Sequence, residues 1–166
     1  MTYKTGSTLL GLGFETISGD DVTTTDKTEA FFPLFGTNHK FNGFMDYFYV
    51  GRHANSVGLN DLNAKVVFKT GSTSKLLAKV HYFTAAEKLE GMGADLGSEV
   101  DLVFTQKIKP YITLNIGYSH AFMSDEFTQL RGIAEGAEGD TNNWGWAMLT
   151  IKPNLIKWKK PVPTAE

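Results

Sequence analysis

The chain has 166 residues, 42% of them hydrophobic, 20% charged and 13% aromatic, with a formal net charge of -2. That length holds one domain with a sizeable core and not two ordinary ones, and the near-neutral balance lacks the basic excess of a nucleic-acid binder. With no cysteine there is no disulfide, thiol nucleophile or thiolate metal site, and no apolar run approaches the ~18 residues of a membrane helix, which leaves strands as the only way to span a bilayer.

From the N-terminus, Thr8–Phe14 is apolar but too short for an export signal. It lacks a basic flank, and Glu15 stands where a small-residue cleavage site would follow. The period there is two. Thr8, Leu10, Leu12 and Phe14 fall on one side of an expected strand over 7–18, Gly11, Gly13 and Glu15 on the other, with Leu9 out of pattern. A long polar stretch over 20–57 follows. It contains two apolar, aromatic pieces, Glu29–Phe35 and Phe41–Val50. As a hairpin these would bring the strand count to eight. Pro33 and the shortness of the first piece favour instead an external loop that packs on a rim or folds inward.

Four clean alternations come next. Residues 60–69 set Leu62, Ala64, Val66 and Phe68 against Asp61, Asn63, Lys65 and Lys69, and residues 74–83 set Leu76, Ala78, Val80 and Tyr82 against Lys75, Lys79 and His81. Residues 98–108 set Val100, Leu102 and Phe104 against Glu99, Asp101, Thr105 and Lys107. Residues 112–121 set Ile112, Leu114, Ile116 and Tyr118 against Thr113, Asn115, Gly117 and Ser119. Each is a strand with one oily and one polar side. A further strand over 142–152 groups Ala147, Leu149 and Ile151 opposite Trp144, Trp146, Met148 and Lys152, and its orientation stays open.

The connections alternate in length. Thr70–Thr73 and Lys109–Pro110 are tight turns, whereas 20–57, 86–96 and 124–141 are long and polar. The expected fold is therefore all-β, an antiparallel up-and-down meander. It reads as a transmembrane β-barrel of about eight strands, or the C-terminal segment of a larger one, over residues 1–153, with a tail over 154–166. A soluble lipocalin-like barrel has a similar length with its apolar face inward. The membrane reading is favoured by the long loops lying on one side and by aromatics near strand ends. These are Tyr82, Phe83, Tyr118, Phe122, Trp144 and Trp146 toward the loops and Phe68, Phe104 and Trp158 toward the turns, as in two interfacial girdles.

The candidate chemistry is electrostatic. Lys65, Lys69, Lys75 and Lys79 form a positive ladder across one tight hairpin, with Asp61, Glu99 and Asp101 on the same polar side. The simpler reading makes them solvated ion pairs, in which neighbouring lysines keep Glu99 and Asp101 ionised. His39, His53, His81 and His120 are scattered, with no metal-ligand spacing. His39 and His53 are expected to hydrogen-bond within the aromatic loop. The acidic pairs Asp20–Asp21 and Glu135–Asp140 lack the spacing of a calcium loop. No nucleophile–base arrangement stands out, so neither an enzyme, a metal nor a cofactor is expected.

The stretch Pro33–Phe48 resembles one in outer-membrane barrels of the alginate-export, porin-like type. Gly58–Leu62, Leu96–Leu102 and Gly117–Phe122 add similarity of a less specific kind, and the likeness covers most of residues 8–153. It implies a many-stranded barrel with a narrow charged pore for an anionic polysaccharide, of which this chain would be the C-terminal part. The resulting expectation is a pore for hydrophilic, anionic solutes in the outer membrane of a Gram-negative bacterium. Lys65, Lys69, Lys75, Lys79, Asp61, Glu99 and Asp101 would line the lumen, and His39, Lys40, Asp46 and Arg52 would constrict it. Its partners would be membrane lipid, the solute, and an upstream barrel segment or further copies of the chain, and not nucleic acid. The alternatives are the lipocalin-like binder of an apolar ligand and a non-conducting outer-membrane anchor or adhesin.

Overall fold

A two-residue period along successive segments can be satisfied only by a sheet with two unlike faces, and that is what the computed structural model contains. It describes residues 1–21, 26–48, 56–87, 91–133 and 141–155. The strands are β1 (Thr2–Thr5), β2 (Thr8–Ile17), β3 (Leu59–Lys69), β4 (Ser74–Thr84), β5 (Asp95–Lys109), β6 (Ile112–Met123) and β7 (Thr141–Ile151). They form a 7-stranded sheet in strict sequence order, antiparallel throughout. β1 and β7 are its two edges, so the sheet is not closed on itself.

Two elements escape the sequence pattern. β1 is a four-residue strand turned back on β2 through Gly6 and Ser7, with Gly6 at φ +53°. Its few residues precede any run long enough to show a period. The second is α1 (Asp125–Leu130), a short helix in the loop before β7. Ser124 caps it by accepting from Phe127 N at 3.1 Å, with Asp125 and Glu126 in the first turn. The aromatic pieces between β2 and β3 form no strand among the described residues, so the count is seven rather than eight.

The register assigns every side chain to a face. On one face Leu12, Phe14, Leu62, Val80, Tyr82, Leu102, Ile116, Tyr118, Phe122, Leu149 and Ile151 are exposed, Leu12 and Phe14 to 64% and 67%. β7 joins this pattern with Leu149 opposite Leu114 and Ala147 opposite Ile116. The other face carries the polar residues, covered toward the long-loop end by residues 39–48 and the helix. There Phe83, Leu59, Leu96 and Ile17 join Phe48, Val57, Ala85 and Phe127 in a small apolar core beneath the loops. Phe48 lies 4.4 Å from Phe83, ring centre to ring centre.

This placement corrects the expected girdles. Tyr82, Tyr118, Phe122 and Phe68 do lie exposed on the apolar face, but Phe83 is fully buried in the core. Trp144 and Trp146 point to the polar face, where Trp144 stacks on His39 at 4.4 Å and Trp146 covers Gly117. Trp158 lies outside the described residues. Phe83→Ala is expected to cost about 3–5 kcal/mol in a denaturant titration, as full-size aromatic cavities do. Tyr82→Ala, one residue away on the open face, should cost roughly 0.5 kcal/mol or less.

Candidate functional site

Hairpin arithmetic builds the polar face row by row. The tight turn over 70–73 sets Lys69 opposite Lys75, Lys65 opposite Lys79 and Asn63 opposite His81. Across the next pairings Lys79 faces Asp101, which faces Ser119, and His81 faces Glu99. Glu15 faces Asp61 on the other flank. The face is therefore split along the strands. Lysines occupy the tight-turn end, and carboxylates and a histidine occupy the long-loop end.

The two halves differ in burial. Lys65, Lys69 and Lys75 are exposed and Lys79 is half-buried, whereas Asp61, His81, Glu99, Asp101 and Ser119 are buried. Directly opposed like charges destabilise a sheet, and here two Lys–Lys pairs share one face, separated by the Val67–Leu77 pair. None of the four lysines comes within 4.0 Å of a carboxylate among the described residues. The expected lysine–carboxylate ion pairs are thus absent from this face. Lys79 stands directly opposite Asp101 without closing on it, and the acids find other partners.

Those partners are specific. His81 Nδ1 sits 2.8 Å from Asp61 Oδ1, and its Nε2 lies 3.7 Å from Asp101 Oδ2. Ser119 Oγ donates to Asp101 Oδ1 at 2.6 Å, so the hydroxyl faces a carboxylate and not an imidazole nitrogen. Asn42 Nδ2 donates to Glu15 at 2.8 Å and to Asp61 at 3.3 Å. Phe44 N and Met45 N both donate to Glu99 Oε1. Three fully buried atoms, His81 Nε2, Glu99 Oε2 and Asp101 Oδ2, have no hydrogen-bond partner. No group of three His, Asp or Glu side chains among the described residues is placed to hold a metal ion.

Residues 39–48 lie across this acidic half. His39, Asn42 and Asp46 have φ of 54°, 45° and 59°, and Gly43 has 88°. Asn, Asp and His tolerate the left-handed region better than other side chains do, which is why this composition can curl so tightly. Asp46 closes the curl by accepting from His39 N at 2.7 Å, and His39 Nδ1 is 2.8 Å from Phe44 O. The Arg131 guanidinium donates to Tyr47 O at 2.7 Å, tying the segment to the end of α1. Burial, with the nearby Glu99 carboxylate, raises the Tyr47 phenol above its ordinary value.

The anticipated site residues thus fall in three places. Asp61, Glu99 and Asp101 come together in the buried half, with Glu99 held by the loop itself. Lys65, Lys69, Lys75 and Lys79 come together in the open half. His39 and Asp46 shape the covering segment, Lys40 is exposed on it with its ammonium 5.2 Å from the centre of the Phe41 ring, and Arg52 lies outside the described residues together with His53. Glu15, Asn42, His81 and Ser119 were not anticipated as members. For His81 the signal was available, since counting back from the 70–73 turn puts it one row from Asp61. For Asn42 no local signal existed, because its partners are 27 and 19 residues away.

Comparisons with protein families, with curated proteins and with solved structures found no match. The site therefore has to be read from its own geometry. Ser119→Ala removes a donor from a buried carboxylate and should lower unfolding free energy by about 1–3 kcal/mol, read from the denaturation midpoint. Thr113→Ala, on the same strand and face but away from the acids, should change it by roughly 0.5 kcal/mol or less.

Proposed function

We propose that this chain forms part of an outer-membrane β-barrel that passes hydrophilic, anionic solutes. The observation that carries the reading is the inverted distribution of polarity across the strands. Side chains such as Leu12, Phe14, Leu62 and Leu149 stand more than half exposed, while Asp61, Glu99 and Asp101 are almost wholly buried. A soluble monomer tolerates an apolar patch of only a few hundred Å². Here the apolar face runs over six strands, and acyl chains are the solvent that suits it.

Dimensions agree. An 11-residue strand such as β3 or β4 is about 37 Å long at roughly 3.4 Å per residue. Tilted by about 45°, it spans about 26 Å, close to the ~25 Å apolar band of such barrels. Toward the long loops the band gives way to a polar row in which Thr16 donates to Asn60 and Asn60 to Thr84. The resemblance of Pro33–Phe48 to alginate-export barrels supports the same assignment.

In lipid, an unpaired strand edge is not tolerated, because each unsatisfied backbone group costs several kcal/mol. The edges at β1 and β7 therefore pair with further strands, supplied by an upstream barrel segment or by other copies of the chain. Inside, the lysine half of the polar face is the part open to solute. Four like charges, two of them directly opposed to the other two, attract anions and repel cations. The acidic half is closed off by its loop.

The test is reconstitution of the full-length protein bearing this sequence. It should need detergent, migrate differently on a gel before and after heating, and conduct ions in a planar bilayer with a preference for anions. Lys65→Glu combined with Lys79→Glu should shift the reversal potential toward cation selectivity. A protein that stays monodisperse in buffer without detergent contradicts the membrane reading. Unchanged selectivity removes the lysines from the conducting path, and detergent dependence without conductance turns the reading into an anchor.

A further inference from the structure

Residues 39–48 could be held over the polar face by many weak contacts or by one dominant one. Glu99 is wholly buried, and its Oε1 accepts from two successive backbone amides, Phe44 N and Met45 N, the latter at 2.8 Å. Two amides that share one buried acceptor are costly to leave without it. Two amides aimed at one oxygen make a small anion-binding concavity of the kind that left-handed residues produce. Asn42 and Gly43, immediately before them, have φ of 45° and 88° and supply that curl. Gly43 rests directly on the carboxylate, since a Cβ there would sit 2.5 Å from Glu99 Oε2. Other anchors act on either side of these amides: Phe48 is buried in the apolar core and Arg131 donates to Tyr47 O. Asn42 reaches Glu15 and Asp61 through a neutral amide, and His39 stacks on Trp144 from an exposed position.

We infer that Glu99 is a positioning residue, the latch that seats residues 39–48 across the polar face and so controls access to Asp61, His81 and Asp101 from the long-loop side. The inference does not depend on the pore reading. It concerns where the loop sits, whether or not the chain conducts.

The experiment uses trypsin on the folded full-length protein, with cleavage after Lys40 as the readout. Lys40 and Phe41 are exposed, but Asn42 and Gly43 beyond them are buried against the sheet. Cleavage therefore needs the segment to lift, and its rate follows the population of the lifted state. Glu99→Ala removes the acceptor and should speed cleavage after Lys40 at least ~10-fold, since two amides lose their buried partner. Glu99→Gln keeps a carbonyl oxygen in the same place and should stay within roughly threefold of the parent, a rescue that general destabilisation would not give. Gly43→Ala leaves Glu99 intact but puts a methyl group against it, and should also speed cleavage. Cleavage after Lys27, outside the segment, serves as the reference and should not change. The inference is overturned if neither Glu99→Ala nor Gly43→Ala accelerates cleavage at Lys40, or if Glu99→Gln is cut as fast as Glu99→Ala.

Discussion

Buried carboxylates must be met by donors, and in this protein the donors come from a loop. Asp61, Glu99 and Asp101 lie on neighbouring strands of one face, where bulk water does not reach them. A polar group left unpaired in such a place costs about 1–3 kcal/mol. His81 and Ser119 satisfy part of the need from within the sheet. The rest falls to Asn42 and to the amides of Phe44 and Met45, in a segment more than fifty residues from Glu99 in sequence. The tight curl of that segment, the burial of the small aromatic core beside it and the docking of α1 through Arg131 all follow from seating it there.

The same seating divides the polar face into two electrical halves. The acidic half is covered and internally bonded, so it presents little charge to the surroundings. The lysine half carries no ion pair to a carboxylate among the described residues, and its opposed lysines gain nothing from each other. A sheet that keeps such pairs holds a standing positive field along one end of its polar face. In the proposed function, a passing anion is what this field acts on.

The opposite face makes the complementary demand. Its leucines, valines and aromatics are at home in hydrocarbon and poorly suited to water, while the edges of the same sheet cannot be left bare in hydrocarbon. The proposed function meets both demands by placing this open seven-stranded meander within a closed barrel.

Much of this was legible in the amino-acid sequence. Alternation in 60–69, 74–83, 98–108 and 112–121 sufficed to identify those strands and assign their two faces, because each pattern holds for several residues and a strand has only two sides. The tight turn over 70–73 likewise determined which lysines oppose each other, since a short hairpin leaves one register. What tertiary structure alone decided is how those faces are covered. Nothing local says that Asn42 reaches Glu15, that consecutive amides converge on Glu99, or that Trp144 and Trp146 turn toward the polar side and not to a girdle. Nor does Thr2–Thr5 carry enough residues to declare a strand. Local order follows from short-range sterics and period, which the chain carries in every window. The choice among distant donors for a buried charge depends on which groups the folded sheet brings within three ångströms, and that distance exists only once the whole is assembled.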